Sequence, residues 1–163
     1  MMMGASVNRL ESKVFFGTDE PEVVDTRFGK ITLQKQNPIA FPRGMLGMPD
    51  KFHFFLTDFP SEKLYKFKLL QCLDDYAFSF ITLPLSLQNG IFTPEDIATA
   101  CHELRLKVEN VVILLVVSVH RTPGKVSLSV NARAPLLIDS STRIAAQHVF
   151  QSDKYKVQHY ITA

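Results

Sequence analysis

The stretch that decides the fold is VVILLVVSV, residues Val111–Val119, the most apolar run in the chain. It is rich in β-branched residues, which favour extended strands, and it is too uniformly apolar for a strand with one face in water. The sequence RTPG at 121–124 then marks a turn, after which Val126, Leu128 and Val130 alternate with serines. This pattern predicts a hairpin whose first strand is buried in the centre of a sheet.

Short apolar segments bounded by turn residues continue on both sides of this hairpin. The Gly/Pro clusters Pro42–Gly44 and Gly47–Asp50 predict tight turns. Further strands are predicted at Ile31–Leu33, Phe52–Leu56, Phe67–Leu70, Ala77–Ile81, Leu136–Ile138, His148–Phe150 and Val157–Ile161. Pro84 is expected to end the Ala77–Ile81 strand, because a central strand cannot spare a backbone donor.

One helix is predicted at about residues 94–105. Thr93 is a suitable N-cap before Pro94, and two acidic residues follow at the positive end of the helix dipole. Apolar residues then recur at helical spacing on one face: Ile97, Ala100, Cys101 and Leu104. Many short strands with one short helix predict a mainly β protein, a single small β-barrel-like domain of antiparallel strands.

The length of 163 residues favours one domain. Residues 1–25 lack sustained periodicity and are predicted to be a loose N-terminal leader, with the folded domain at 26–163. The start of the chain shows no basic region followed by an apolar stretch, and the longest apolar run is far short of the roughly 20 residues that span a bilayer. Two cysteines without metal-ligand spacing fit a reducing compartment, so the sequence predicts a cytoplasmic protein with no membrane segment.

No catalytic or cofactor motif is found in the sequence. The glycines near 44 and 47 match neither a phosphate-binding loop nor a dinucleotide-binding fingerprint. Cys101 and His102 are adjacent, so on a helix they point about 100° apart, and a core cysteine beside an exposed histidine is the favoured interpretation. The carboxylate pair Asp74-Asp75 is interpreted as turn-forming. We therefore expect no enzyme activity, no metal site, no cofactor and no small-molecule substrate.

Six basic residues lie in the C-terminal third: Arg121, Lys125, Arg133, Arg143, Lys154 and Lys156. Clustered in space, they could bind an anionic partner, and a nucleic-acid-binding small β-barrel protein is the alternative function. The formal net charge is +2, which is mild for a dedicated nucleic-acid binder. Few aromatic residues are interleaved with these cations, so a solvated surface is favoured and no direct nucleic-acid contact is expected.

The segment VNARAPLLID at 130–139 resembles the pattern N-L-x-A-P-[IV]-x-[IV]-N of the flagellar assembly factor (FliW) family. Other stretches resemble that family in the same order along the chain: FPRGMLGM at 41–48, FKLLQ at 67–71, AAQHVF at 145–150 and YKVQHYI at 155–161. The resemblance covers about residues 26–161. Each motif is weak by itself, but their joint order and spacing are specific.

The resemblance implies a binding protein and not an enzyme. It implies a cytoplasmic factor that holds flagellin as a chaperone and antagonises the RNA-binding translational regulator CsrA. In that scheme the two partners compete for the factor, so flagellin translation resumes once flagellin has been exported. The implied partners are therefore flagellin and CsrA.

Candidate partner-binding residues come from the resembling segments. Asn131 can bond nearby backbone, and Pro135 requires a sheet edge, a bulge or a strand start. Arg133 could donate to a carboxylate of a partner. The alternative interpretation, which is favoured, is that Asn131 and Pro135 shape the turn into a core strand. The other candidates, from the segments at 145–150 and 155–161, are Gln147, Tyr155 and His159.

Overall fold

The computed structural model describes residues 21–33 and 37–162. Within these residues it contains one α-helix, α1, and the 3₁₀ turns Glu62–Leu64 and Val108–Asn110. The helix is Pro94–Glu103. The strands, numbered in chain order, are β1 Glu22–Thr26, β2 Gly29–Leu33, β3 Ile39–Ala40, β4 His53–Asp58, β5 Lys68–Cys72, β6 Ser79–Leu85, β7 Val111–Thr122, β8 Lys125–Val130, β9 Leu136–Asp139, β10 Ile144–Gln147 and β11 His159–Ile161. The prediction of a mainly β protein with one short helix is confirmed.

In the described part of the chain, seven strands form a closed ring, which begins and ends at β7. Starting from β7, neighbouring strands follow in the order β6, β5, β4, β3, β10 and β9, and β9 pairs back with the first half of β7. The second half of β7 leaves this ring and pairs with β8, which carries β11 on its other side. Among the described ring strands the pairing is antiparallel except between β3 and β10, which meet at Ala40 and Ile144. The prediction of a β-barrel-like domain of antiparallel strands is thus confirmed.

The interior of the ring is filled by apolar side chains. Successive side chains on a strand point to opposite faces, so each ring strand contributes alternate residues to a shared inner core. Phe41 and Phe54 meet there edge to face, with ring centroids 5.2 Å apart. The other buried members are Ile39, Met45, Leu70, Cys72, Leu114, Leu136, Ile138 and Ala145.

The helix covers the outer face of β7 and β9. Its apolar residues Ile97, Ala100 and Cys101 are buried in a second cluster that also contains Ile113 and Leu115 of β7. The Thr93 hydroxyl accepts from the Asp96 N–H, as an N-cap does. The helix ends within two residues of the predicted position.

The C-terminal end of the helix is closed by a residue in the left-handed region. Arg105 has φ 59°. Its N–H donates to His102 O at 3.1 Å, and the Leu106 N–H donates to Cys101 O at 2.8 Å. These two bonds form a Schellman motif, in which glycine is the usual residue at this position. The backbone at Arg105 is therefore strained for an arginine.

The β1–β2 hairpin packs on the outside of the ring. Val24, Ile31 and Leu33 are buried there against Leu69 and Leu73. The predicted leader, residues 1–25, lies outside the described residues up to position 20. Its last residues, from Glu22, form β1 together with Thr26.

Pro84 does not end the strand that contains it, contrary to the prediction. The strand β6 runs on to Leu85, and Pro84 lies opposite Leu114 of β7. Because the Cys72 N–H donates to Phe78 O, backbone groups of even-numbered residues in β6 point towards β5. The last residue of β6 paired with β5 is Thr82, so at Pro84 the missing N–H removes no ladder bond.

The predicted strand His148–Phe150 is an irregular segment that follows β10. Its N–H groups at His148 and Phe150 donate to Pro135 O and Arg133 O, at 3.0 and 2.8 Å. Pro135 has no N–H to return a bond, and the Arg133 N–H donates instead to Lys156 O at 3.2 Å. The segment 148–150 therefore donates backbone hydrogen bonds to 133–135 but receives none in return, so the regular strand pairing does not continue. The predicted strand Val157–Ile161 is shorter, and begins at His159.

Candidate binding site

All six candidate residues lie on or beside the segment 130–135, where the chain leaves β8 for β9. Asn131 shapes this segment: its side-chain Oδ1 accepts from the Ala134 N–H at 3.1 Å, and its own N–H donates to Val116 O at 3.0 Å. This is the Asx-type turn expected of a short polar side chain before Pro135. Pro135 itself is buried at the start of β9. Both residues therefore determine the path of the chain.

Gln147 joins this segment to the loop 41–49. Its Nε2 donates to Ala134 O at 3.0 Å, and its Oε1 accepts from the Leu46 N–H at 2.8 Å. The side chain therefore uses both ends of its amide inside the protein. It fixes Leu46 relative to β10, although 101 residues separate Gln147 from Leu46 in the sequence.

Arg133 is the candidate with the most accessible charged group. Its Nε donates to Phe150 O at 3.1 Å, while one terminal nitrogen lies 3.7 Å from the Asp153 carboxylate. The side chain is 36% exposed and that of Asp153 is 100% exposed. An ion pair this open to water contributes little to stability. The Nε and one terminal nitrogen, which donates to Gln151 O at 3.5 Å, brace the C-terminal segment, whereas the other terminal nitrogen is the more open to solvent.

Tyr155 anchors the C-terminal segment to the start of α1. Its hydroxyl donates to Asp96 Oδ2 at 2.6 Å and accepts from the Thr93 N–H at 3.1 Å. Lys154 donates to the same carboxylate oxygen at 2.8 Å. These bonds, first from Lys154 and then from Tyr155, lower the pKa of Asp96 to about 2. Tyr155 is buried, so we assign it a structural role in the closed fold.

His159 lies at the edge of the sheet. It is half-buried and sits opposite Val130, next to Asn131, in the β11–β8 pair. His159 is thus the sixth candidate near the segment 130–135. Within the described residues, no side-chain hydrogen bond joins it to the other five candidates.

A groove that the sequence did not predict lies between the loop 41–49, the end of α1 and β10. Two adjoining cavities of about 320 and 450 Å³ form it, and both are lined by Arg43, Leu104 and Ala146. We call it the β10 groove. Two large apolar side chains at its border are exposed, Leu46 at 61% and Ile144 at 43%. The Gly/Pro pattern at 42–50 predicts a turn, but it contains no signal that the turn faces the helix end.

The basic residues of the C-terminal third do not all remain free. Lys154 binds Asp96, Arg133 binds the backbone at Phe150, and the Arg143 Nε donates to Asn37 O. Arg121 and Lys125 lie at the exposed tip of the β7–β8 hairpin. Internal bonds therefore take up half of the predicted set, which weakens the case for one continuous basic face.

The described residues contain no group of three or more His, Cys, Asp or Glu side chains that could hold a metal ion. Cys72 and Cys101 are free and buried, and burial raises the pKa of both thiols.

Asp74 accepts from the N–H groups of Phe52 and His53, and Asp75 accepts from the Ala77 N–H. The bond at Asp75 fits the turn interpretation, whereas Asp74 instead holds the start of β4, 21 and 22 residues away in the sequence. In residues 21–33 and 37–162, no helix has the length and hydropathy needed to cross a bilayer.

Comparison with known proteins links the fold to one family. The FliW protein family matches residues 22–161. The flagellar assembly factor FliW of Geotalea uraniireducens (strain Rf4) is 31% identical over 139 residues, which are 85% of this chain and 82% of that protein. The flagellar assembly factor FliW of Syntrophus aciditrophicus (strain SB) is 27% identical over 143 residues, covering 86% and 87%. A crystal structure of the flagellar assembly factor FliW covers 85% of this chain and 96% of its own, with TM-score 0.62 and 19% identity, which shows a shared fold.

Proposed function

Because this chain belongs to the FliW family of flagellar assembly factors, we propose that it binds flagellin in the cytoplasm as a chaperone and antagonises the regulator CsrA. The observation that carries the proposal is the family match, which spans residues 22–161 and so includes β1 and β11. Flagellin and CsrA compete for the factor. Export of flagellin frees the factor to sequester CsrA, which restores flagellin translation without catalysis or a cofactor.

A protein-binding role is supported by apolar side chains on the surface. Leu46 and Ile144 are exposed beside the β10 groove, and Val126 and Tyr160 are exposed on β8 and β11, each at 59%. Val126 and Tyr160 lie on opposite faces of the β8–β11 pair, because Tyr160 is opposite Ser129. Exposed apolar groups at a groove, as at Leu46 and Ile144, are typical of sites that bind other proteins. The strand β11 also forms one end of the strand order, where its outer edge can accept a further strand.

The proposal is tested with the purified chain and purified flagellin and CsrA. Titration calorimetry should give a one-to-one complex with flagellin, and a preformed complex with CsrA should dissociate when flagellin is added. An RNA titration serves as the control for the nucleic-acid alternative, because direct RNA binding would weaken steeply with salt. Binding of neither protein, or salt-sensitive binding of RNA by the chain alone, would contradict the proposal.

The six candidate residues remain proposals as contacts, and Arg133 offers the sharpest test among them. If its guanidinium contacts a partner, Arg133→Ala should weaken binding and leave the melting temperature nearly unchanged. If the guanidinium instead serves to hold Phe150 O, Arg133→Ala should lower the melting temperature, and the affinity should fall only as far as the folded fraction falls. Arg133→Lys is the matched variant, because it keeps the charge but loses the bond geometry of the Nε.

A further inference from the structure

We propose that the β10 groove binds a segment of flagellin in which an apolar side chain is flanked by carboxylates. The proposal rests on the proposed function for the identity of that partner, and it adds the surface and the chemistry of the contact. It involves residues outside the six sequence candidates except Gln147, which lines one of the two cavities.

The charges at the groove favour an acidic segment. Arg43 and Arg105 both line it and both are exposed. Within residues 21–33 and 37–162, neither guanidinium forms a hydrogen bond or an ion pair. The carboxylate on the same lining, Glu103, is 59% exposed and lies 3.8 Å from the His148 ring. Burial lowers the pKa of His148, so Glu103 keeps its charge and the lining has one net positive charge. Two unengaged guanidiniums are the groups that bind carboxylates with paired, charge-assisted bonds.

The rest of the lining is suited to an apolar side chain. The exposed Leu46 and Ile144 stand at the border, and the half-buried Leu104 and Leu106 form part of the wall. Cavities of about 320 and 450 Å³ have room for a partner's side chains. Covering Leu46 and Ile144 would remove their apolar surface from water, which is the main favourable contribution in most protein associations.

The groove is also held in place before any partner arrives. The Gln147 amide fixes Leu46 to β10. Gly44, with φ +70°, allows the loop backbone to approach Met48 O so closely that a Cβ would lie 2.6 Å from it. Arg105 stays in a left-handed conformation that glycine would adopt without strain. A preformed site loses little conformational entropy on binding, and a strained arginine aimed at a groove is consistent with a binding role.

The chemistry is tested first with a labelled synthetic peptide that alternates aspartate and leucine. Fluorescence anisotropy should show saturable binding, and NMR shifts should change at Leu46, Ile144 and Ala146. The same peptide with lysine in place of aspartate should not bind. Equal binding of both peptides, or shift changes confined to other surfaces, would overturn the proposal whatever flagellin does.

The link to the partner is tested with the double variant Arg43→Gln and Arg105→Gly. Its affinity for flagellin and for the acidic peptide should fall about tenfold or more, as expected for the loss of charge-assisted hydrogen bonds. The matched control, Arg121→Gln with Lys125→Gln, removes the same charge from the hairpin tip and should bind normally. Arg105→Gly relieves the strained backbone, so this substitution should not destabilise the fold. If the melting temperature of the double variant equals that of the wild type, unfolding cannot explain a loss of binding.

The outcomes separate the two proposals. If the wild-type chain binds no flagellin but does bind the acidic peptide through the groove, the proposed function fails and the groove chemistry stands. If flagellin binds the double variant as tightly as the wild type, the groove proposal fails and the proposed function stands. Light scattering tests whether a second copy of the chain occupies the groove. A wild type that is dimeric and a double variant that is monomeric would place a second copy there and overturn the proposal.

Discussion

At the scale of single residues, short side-chain bonds determine where the chain turns. Asn131 and Gln147 both come from segments that the sequence singled out for partner contact, yet each uses its amide within the protein. The structure therefore favours the interpretation that these residues shape the chain. Arg43, an exposed charge that forms no bond to another described residue, was not singled out, because an isolated arginine in a turn has no distinctive sequence pattern.

Replacing Asn131 should show its structural role. Asn131→Ala removes the acceptor of the Ala134 N–H, and we expect a loss of about 1 kcal/mol in the free energy of unfolding. Asn131→Asp keeps an acceptor in the same place and should lose less. Urea denaturation of the three proteins measures the difference. Equal stability of the wild type and Asn131→Ala would show that the bond does not stabilise the segment.

At the scale of elements, the loop 41–49 depends on two glycines with different surroundings. Gly44 and Gly47 have φ +70° and +79°. A Cβ on Gly44 would clash with Met48 O and Pro49, whereas a Cβ on Gly47 would meet nothing within 4 Å. The pair thus separates the cost of a positive φ from the cost of a steric clash.

Alanine substitutions at the two glycines should therefore differ. Gly47→Ala should lower the free energy of unfolding by about 1 kcal/mol, which is the cost of a left-handed residue with a Cβ. Gly44→Ala should cost clearly more, since the backbone of the loop must also move. Thermal denaturation with circular dichroism compares them. Equal losses would mean that the loop accommodates the added Cβ freely.

The attachment of the C-terminal segment to α1 predicts a pH dependence. The folded pKa of Asp96 is about 2, below its ordinary 3.8, so the unfolded chain binds more protons between these values. The stabilisation is complete above 3.8 and is lost as the pH falls towards 2. Asp96→Asn should be less stable than the wild type at neutral pH. The difference in melting temperature should shrink over this window, and a constant difference would contradict the assignment.

At the scale of the whole molecule, β7 holds the architecture together. Its side chains alternate between the inner core, through Leu114, and the outer cluster under α1, through Ile113 and Leu115. Both faces are buried, which explains why the run shows no polar alternation until Ser118. Beyond that point β7 leaves the ring and its side chains become exposed.

A cavity in the inner core should be costly. Leu114 is fully buried and lies opposite both Pro84 and Leu136. Leu114→Ala should lower the free energy of unfolding by about 2–5 kcal/mol. Val119→Ala, on the same strand but 39% exposed, should cost less than about 1 kcal/mol. Urea midpoints provide the comparison, and similar losses at both positions would argue against a closed, packed ring interior.

The amino-acid sequence by itself determined the local structure and the family. The apolar run of β7, the hairpin turn at 122–125 and the Thr93 cap are encoded by neighbouring residues, because φ, ψ and side-chain periodicity depend on short-range sterics and bonding. The order of several weak motifs also identified the FliW family, which the match over 22–161 confirms.

The tertiary structure decided how these pieces meet. Ring closure depends on β9 returning to the first half of β7, and the β10 groove depends on a turn near residue 44 lying beside a helix end near residue 105. Neither is visible in a local pattern, because many pairings of the same strands would bury similar apolar area. The choice among them comes from simultaneous packing of the inner core and both outer clusters, which is a property of the complete fold.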